Sequence, residues 1–330
     1  MTLTIQTKRS KHATALLAVV AACTALIGCG DPTAPSVAPD AAGAGKTVVV
    51  ATTTILEDVA RRLAGDDAEV RGVMRVGEDP HVYEVRPQDA VMLSGAGLVL
   101  ANGFHLEATL GGVIDQVAAD THVELAEAAG IDGEDRIGSD VYAGAPDPHI
   151  WMDPTLFSRV VQQMGEALAA ADPPHADAYR ARATAYAGEL TQLHDEITAA
   201  FAAIPRDRRV IITSHDAFNY YARAYGVEVH GVIGISTDAQ PTGQQVEALR
   251  ALVRDRGVRA LFIETSTSPT LNNIVKKIAD EAGIAIGGTL YSDSLGAPGT
   301  PGDTYLGMLR HNTEVIVAAL SGDGSSTAAE

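Results

Sequence analysis

Residues 173–205 read PPHADAYRARATAYAGELTQLHDEITAAFAAIP, and this stretch decides how the rest of the chain is organised. Proline stands at each end, and the interior is rich in good helix formers, with Gly188 as the one weak point. About 30 residues at a rise of 1.5 Å each predict a rod roughly 45 Å long. We therefore expect a rigid helix that joins two parts of the chain and allows only small hinge motions between them.

Strand-like and helix-like segments alternate on both sides of this stretch. Runs rich in β-branched and apolar residues predict strands at 46–54, 68–76, 97–102 and 122–127 before it, and at 208–213, 227–234, 259–264 and 282–291 after it. Amphipathic segments with helical periodicity lie between these runs. Such alternation predicts an α/β fold with two lobes, each a mostly parallel β-sheet with flanking helices, joined by one long rigid helix.

The N-terminus has the pattern of a secretion signal. A basic patch precedes an apolar run, 13–28, that is too short for a membrane span. The segment Leu26-Ile27-Gly28-Cys29 resembles the lipobox of bacterial lipoproteins, which implies cleavage before Cys29 and a lipid on its thiol. An ordinary signal peptide with a chance cysteine is the alternative, but the Pro/Ala/Gly-rich stretch that follows suits a tether from a membrane. The expected order is a lipoprotein signal peptide (1–28), a flexible tether (29–46), an N-terminal α/β lobe (47–172), the linker helix (173–205), a C-terminal α/β lobe (206–322) and a disordered tail (323–330).

Composition excludes several kinds of function. The formal net charge of −18 would become more negative after loss of the basic signal, and such a surface repels nucleic acid. The two cysteines, Cys23 and Cys29, fall in the signal and at the lipidation position. A mature domain without thiols has neither a disulfide nor a thiolate zinc site.

Histidines in stiff loops suggest a metal site. DPHIWMDP at 147–154 and DPH at 79–81 each place a histidine directly after an Asp-Pro pair, and proline restricts the backbone on both sides. Open parallel sheets bind ligands beyond the carboxyl ends of their strands, and ligand-type residues follow predicted strands in both lobes. Three imidazoles and one carboxylate suit a divalent metal. The predicted ligands are His81, His149, His215 and Asp293.

The alternative for any one of these histidines is a hydrogen-bonded loop side chain, and their matched placement after strands favours a shared site. His105, in ANGFHLE, also follows a strand and is the one rival ligand. Nearby acids would accept the second ring proton of a ligating imidazole, although some of them serve equally well in Asp-Pro turns. The sole tryptophan, Trp151, would pack beneath the site or simply in the core. The candidate acids are Asp79, Glu84, Asp147, Asp153 and Asp216.

These segments resemble a known family. GEDPHVYEVRPQD, ANGFHLE, DPHIWMDP, TSHDAFNYYARAYG, ALFIETSTSP and LYSDSLG are similar, in order and spacing, to the solute-binding lipoproteins of bacterial zinc and manganese ABC importers. The resemblance covers nearly all of the mature chain and implies the same four ligands. A histidine at position 215, with no histidine-rich tract in 83–101, implies one Zn²⁺ or Mn²⁺ ion, with Fe²⁺ as a further option.

The resemblance also implies a function. The chain would be an extracytoplasmic receptor, lipid-anchored through Cys29, that works as a monomer and delivers metal to the permease and ATPase subunits of an importer. It would not be an enzyme, since it has no HExxH, GxSxG or Gly-rich phosphate loop. Two alternatives stay open: a zinc-dependent hydrolase with an open coordination position, and a surface adhesin that metal stiffens.

Overall fold

The computed structural model describes residues 45–138 and 146–322. The predicted signal peptide, Cys29, most of the predicted tether and the predicted tail lie outside these residues. The strands are β1 (Val48–Ala51), β2 (Glu69–Gly72), β3 (Leu98–Ala101), β4 (His122–Glu124), β5 (Val210–Thr213), β6 (Glu228–Gly231), β7 (Ala260–Glu264) and β8 (Ile286–Leu290). The helices are α1 (Thr54–Ala64), α2 (Pro87–Ser94), α3 (Ala108–Val117), α4 (Leu125–Ala128), α5 (Pro154–Ala171), α6 (Ala176–Phe201), α7 (Asn219–Tyr225), α8 (Gly243–Arg256), α9 (Pro269–Ala282) and α10 (Tyr305–Ser321).

The strands form two parallel sheets with the same topology. Strand order is β2-β1-β3-β4 in the N-terminal lobe and β6-β5-β7-β8 in the C-terminal lobe. Every pairing is parallel, and the residues of the inner strands β3 and β5 are all buried. The direction of strand progression reverses between β1 and β3 and again between β5 and β7. Each lobe therefore has a crevice beyond the carboxyl ends of its central strands, the usual ligand position in such sheets.

The predicted strand at 122–127 is wrong in its second half. The strand β4 ends at Glu124, and the short helix α4 begins at Leu125. Leu125 and Ala126 are fully buried, and the Ala126 N–H donates to the main-chain oxygen of Asn102 at 2.9 Å. A short apolar run has the same appearance whether it is a buried strand or one buried helical turn, so periodicity alone does not separate the two.

The stretch that joins the lobes is helical over most of its predicted length. A single 3₁₀ turn, Pro173–His175, precedes α6, whose 26 residues span about 39 Å. The buried side of α6 packs against α5 of the N-terminal lobe and α10 of the C-terminal lobe. Its buried residues follow the helical repeat and share one face, namely Tyr179, Ala183, Tyr186, Ala187, Leu190, Leu193, Ile197 and Phe201.

The two lobes share one hydrophobic core. A single cluster of buried side chains runs from β1 and α5 of the first lobe to α7 and α10 of the second. Hydrogen bonds cross between them as well: the Trp151 indole donates to the Ser292 main-chain oxygen at 2.9 Å, and the Tyr305 hydroxyl to the Trp151 main-chain oxygen at 2.6 Å. Among the described helices, none combines the length and apolar character that a membrane crossing needs.

Candidate metal centre

The four predicted ligands lie on four separate loops, two in each lobe. His81 lies in a 3₁₀ turn after β2, and His149 directly precedes a similar turn before α5. His215 follows β5, and Asp293 follows β8. The loops after β5 and β8 place their side chains beyond the carboxyl ends of the C-terminal sheet, facing the two histidines of the other lobe.

The two DPH motifs share the same hydrogen bond from the histidine backbone to the aspartate side chain. The Asp79 carboxylate accepts the backbone N–H of His81 at 2.9 Å, and the Asp147 carboxylate accepts that of His149 at 3.0 Å. An aspartate that bonds the backbone two residues further on makes a compact turn. The proline between the two residues stiffens this turn, so each histidine is presented on a fixed stem.

The structure brings the four side chains together. The Nε2 atoms of His81 and His149 are 3.2 Å apart. Asp293 Oδ1 lies 3.4 Å from His149 Nε2, and Asp293 Oδ2 lies 3.1 Å from His215 Nε2. One ligand atom from each residue lies within 4.8 Å of all the others. A tetrahedral ion with bonds of about 2.0 Å separates its ligand atoms by about 3.3 Å, so small shifts suffice to enclose a cation.

Three of the four side chains are sealed from solvent. His149 and His215 are 0% exposed and Asp293 is 2% exposed, whereas His81 is half-buried. Within the described residues, the buried atoms without a hydrogen-bond partner include His215 Nε2 and Asp293 Oδ1. Unpartnered buried polar atoms are costly, and a cation bonded to both would remove that cost.

Asp147 holds His149 by its second ring nitrogen. His149 Nδ1 lies 2.7 Å from Asp147 Oδ1, and both residues are fully buried. This contact orients the ring and directs Nε2 toward the centre of the site. A carboxylate behind a metal-binding imidazole is a common arrangement, which fixes the tautomer and raises the basicity of the ligand.

Glu264 has the same role behind His215, and the sequence prediction missed it. Its Oε1 accepts the His215 backbone N–H at 2.9 Å, and its Oε2 lies 2.7 Å from His215 Nδ1, although the angle of that second contact is not that of a hydrogen bond. Glu264 is the last residue of β7 and only 1% exposed. A carboxylate at the carboxyl end of a buried central strand is a signal that would have identified it.

The charges of these four residues, and of the acids behind two of them, shift the pKa values of the four. Burial opposes a charged His149, but the carboxylates of Asp147 and Asp293 outweigh it and raise its pKa to about 9. Burial is likewise outweighed at His215, where Glu264 and Asp293 raise the pKa well above its ordinary value. Burial alone would raise the pKa of Asp293, but the imidazoles of His215 and His149 outweigh this effect and hold that pKa well below its usual range. A cation at this site therefore meets an ionised Asp293 and displaces protons from imidazole nitrogens.

Of the four candidate ligands, His81 is the most exposed to solvent. Burial lowers its pKa to about 3, so its ring is neutral and its Nε2 lone pair is available. A cavity of about 70 Å³ lies beside it, lined from both lobes by residues that include Pro148, Ile235 and Ser236. The rival ligand His105 also lines this cavity, but its side chain is exposed and it is not among the four clustered residues.

The other predicted residues have different positions. Asp153 caps α5 by accepting the Thr155 N–H at 2.8 Å, and Asp216 accepts the Gly231 N–H at 2.6 Å. Glu84 is exposed. Asp79 bonds the backbone of His81 and accepts the Thr237 hydroxyl at 2.5 Å. The Trp151 ring packs edge-on to His149, with ring centroids 5.2 Å apart, so it contacts the site from within the core.

Comparison with known proteins finds a family that spans this fold and site. The family model described as zinc-uptake complex component A, periplasmic (ZnuA), matches residues 49–319. The zinc-binding protein TroA of Treponema pallidum (strain Nichols) is 35% identical over 284 residues, which cover 86% of this chain and 91% of TroA. The manganese-binding lipoprotein MntA of Bacillus subtilis (strain 168) is 34% identical over 310 residues, covering 92% of this chain and 98% of MntA.

A further relative and a solved structure also match most of this chain. The manganese ABC transporter substrate-binding lipoprotein PsaA of Streptococcus pneumoniae is 31% identical over 326 residues, covering 94% of this chain and 99% of PsaA. The solved structure of the periplasmic zinc-binding protein TroA from Treponema pallidum superposes with a TM-score of 0.79 at 34% identity, covering 84% of this chain and 99% of the TroA chain. The predicted two-lobe α/β fold is thereby confirmed.

Proposed function

The chain belongs to the ZnuA family of periplasmic zinc-uptake components, and we therefore propose that it is the extracytoplasmic receptor of an ABC importer. It captures one Zn²⁺ or Mn²⁺ ion in the cleft between its lobes and carries it to the importer. The relatives named above are a zinc-binding protein and two manganese-binding lipoproteins, and they fit this activity.

The observation that carries the proposal is the convergence of four side chains from four loops. His81, His149, His215 and Asp293 each offer a ligand atom within 4.8 Å of the others. The chemistry of the set supports a divalent transition metal, since neutral imidazole and carboxylate are ligands for zinc and manganese, and no thiolate is needed. The ion is the cargo of the protein and occupies the cleft in transit.

A carrier fits this donor set better than a hydrolase. Catalytic zinc sites keep a position open for water, with three protein ligands. Here Asp293 provides a fourth donor, between His149 and His215, which closes the coordination sphere to substrate water. The family relationship points the same way, because its members are solute-binding receptors.

The proposed partners are the permease and the ATPase of a metal importer. The lipobox-like segment before Cys29 supports a lipid anchor that holds the receptor, as a monomer, on the outer side of the cell membrane. Two of the relatives named above, MntA and PsaA, are lipoproteins by name, which fits such an anchor. Incorporation of radiolabelled palmitate into the full chain, and its loss on Cys29→Ala, tests the anchor.

Elemental analysis of the protein isolated from cells tests the proposed site. We expect one zinc or manganese ion per chain, and loss of that ion when any of the four ligands is replaced by alanine. Replacement of the rival His105 by alanine is the matched control and should leave the metal content unchanged. Full metal content in the His215→Ala and Asp293→Ala variants would contradict the proposal.

A further inference from the structure

The carboxylate that holds His149 is itself held by the other lobe. Asp147 Oδ1 is occupied by His149, while Asp147 Oδ2 accepts a hydrogen bond from Asn219 Nδ2 at 3.0 Å. Asn219 Nδ2 also donates to the main-chain oxygen of Asp216 at 3.3 Å. Because both partners are acceptors, the side-chain amide of Asn219 has only one consistent orientation.

The main chain of Asp147 is fixed from the same direction. The hydroxyl of Tyr220 donates to the main-chain oxygen of Asp147 at 2.9 Å and accepts the backbone N–H of Ile137 at 3.2 Å. Tyr220 is fully buried. Asn219 and Tyr220 are the first residues of α7, which follows the His215 loop in the C-terminal lobe. The start of one helix thus bonds both the carboxylate and the backbone of a residue in the opposite lobe.

The other buried imidazole does not depend on the opposite lobe. His215 is held by Glu264 through its backbone and its ring, and both residues belong to the C-terminal lobe. A small separation of the lobes would leave that pair intact. The same separation would remove Asn219 and Tyr220 from Asp147 and free the support behind His149. The two halves of the site therefore differ in their sensitivity to lobe contact.

We propose that Asn219 is a positioning residue which, through Asp147, sets the metal affinity of His149 according to whether the lobes are in contact. This rests on the proposed function, because it requires His149 to be a ligand. When the lobes are together, His149 is oriented and basic, and the ion is held firmly. When a partner pulls the lobes apart, the His149 ring loses its fixed direction and the ion leaves more readily.

Zinc affinity of the purified, metal-free protein tests this role, measured by competition with a chelator. We expect Asn219→Ala to weaken zinc binding about tenfold, the lower end of the effect of losing an outer partner of a metal ligand. Asn219→Asp keeps the side-chain volume but replaces the donor with an acceptor, so it should weaken binding at least as much. The Co²⁺ absorption bands of both variants should shift, since these report the geometry around the ion.

Arg223→Gln is the matched control. Arg223 lies on the same helix and also crosses to the other lobe, donating to the main-chain oxygens of Glu134 at 3.0 Å and Asp135 at 2.8 Å, but it does not bond Asp147. Its loss should change zinc affinity less than twofold and leave the Co²⁺ spectrum unaltered. If Arg223→Gln weakens zinc as much as Asn219→Ala does, general lobe contact is responsible and the role of Asn219 is disproved.

A double-mutant cycle separates this proposal from the proposed function. In a His149→Ala background, Asn219→Ala should have no further effect on the residual zinc affinity, since its path through the imidazole is gone. A full additional loss in that background would overturn the positioning role. If His149→Ala alone leaves zinc affinity unchanged, the assignment of the ligand set fails instead. Wild-type affinity and spectrum in Asn219→Ala would refute the positioning role directly.

Discussion

At the scale of single residues, two buried carboxylates support histidines of the proposed metal site. Asp147 lies behind His149 and Glu264 behind His215, and both acids are buried. Each accepts the backbone N–H of its histidine and places a carboxylate oxygen 2.7 Å from the ring Nδ1. Alone, a buried carboxylate would be costly, and pairing with an imidazole offsets that cost. These acids therefore fix the direction of the two histidines before an ion arrives.

Replacement of Glu264 by glutamine should weaken zinc binding by about 10- to 100-fold. Glutamine keeps the volume and can still accept the His215 N–H, but it no longer provides a negative charge behind the ring. Isothermal titration of metal-free protein measures the effect. Glu124→Gln is the control, because Glu124 also ends a strand but is not one of the four clustered residues. Equal affinity of the Glu264→Gln variant and the wild type would contradict the role of Glu264.

Glu107 should make stability depend on pH. It is buried and accepts hydrogen bonds from the Thr52 hydroxyl at 2.6 Å and the Asn102 N–H at 2.8 Å. Burial raises its pKa, so its contribution to stability is full at low pH and is lost as pH rises through the folded-state value. Glutamine does not ionise. The difference in melting temperature, Glu107→Gln minus wild type, should be larger at pH 7.5 than at pH 4.5 when both proteins are metal-free. A difference that falls with pH would contradict this.

At the scale of elements, the most extensive helix contact is between α5 and α6. A Cβ added at Gly165 of α5 would lie 2.6 Å from the Ala183 Cβ of α6, which is inside van der Waals contact. Glycine at this crossing lets the two backbones approach closely. The helix α6 also packs against α10 of the other lobe. The rigidity of the join thus depends on small residues as well as on helix length.

Two glycine-to-alanine changes should have opposite effects on stability. Gly165→Ala forces the crossing apart and should lower the free energy of unfolding by about 1–3 kcal/mol. Among the described residues, a Cβ added at Gly188 of α6 meets no atom within 4 Å, so Gly188→Ala should raise that free energy by about 0.5–1 kcal/mol through helix propensity alone. Urea unfolding of the metal-free proteins measures both. A stabilising Gly165→Ala would show that the crossing is not tight.

Sequence patterns predicted the elements better than their ends or their long-range contacts. The eight strand-like runs each contain an observed strand, and the linker helix lies inside its predicted range. Local periodicity did not detect the change from β4 to α4. It also carries no information on the pairing of His215 with Glu264, 49 residues apart, or of Asp147 with Asn219, 72 residues apart. Placement after strands is a local signal, and it predicted three of the four side chains that the structure brings together. The carboxylates behind the histidines depend on contacts between distant parts of the chain.

At the scale of the whole molecule, the two lobes contain sheets of equivalent strand order, and the proposed metal site lies where the lobes meet. The loops that carry the proposed ligands come two from each lobe, and a common core with α6 along one side limits how far the lobes can move. A molecule built in this way is suited to small movements of one lobe against the other. In the proposed site, three of the four candidate ligands are buried, and His81 lies toward the cavity.

The whole site should prefer zinc to manganese in equilibrium binding. Three imidazoles and one carboxylate favour Zn²⁺, and affinity for Mn²⁺ lies far lower in the order of first-row divalent metals. Calorimetry with the purified protein should show Zn²⁺ bound at least as tightly as Mn²⁺ and displacing it. Tight Mn²⁺ binding that excess Zn²⁺ does not displace would contradict this, and would mean that the lobes impose a geometry unsuited to zinc.

Anomalous diffraction from crystals of the zinc-loaded protein, recorded on both sides of the zinc absorption edge, locates the ion itself. We expect one strong peak per chain, within about 2.0–2.2 Å of the Nε2 atoms of His81, His149 and His215 and of a carboxylate oxygen of Asp293. A peak bonded to other residues, with these four side chains free of metal, would contradict the assignment of the cleft as the cargo site.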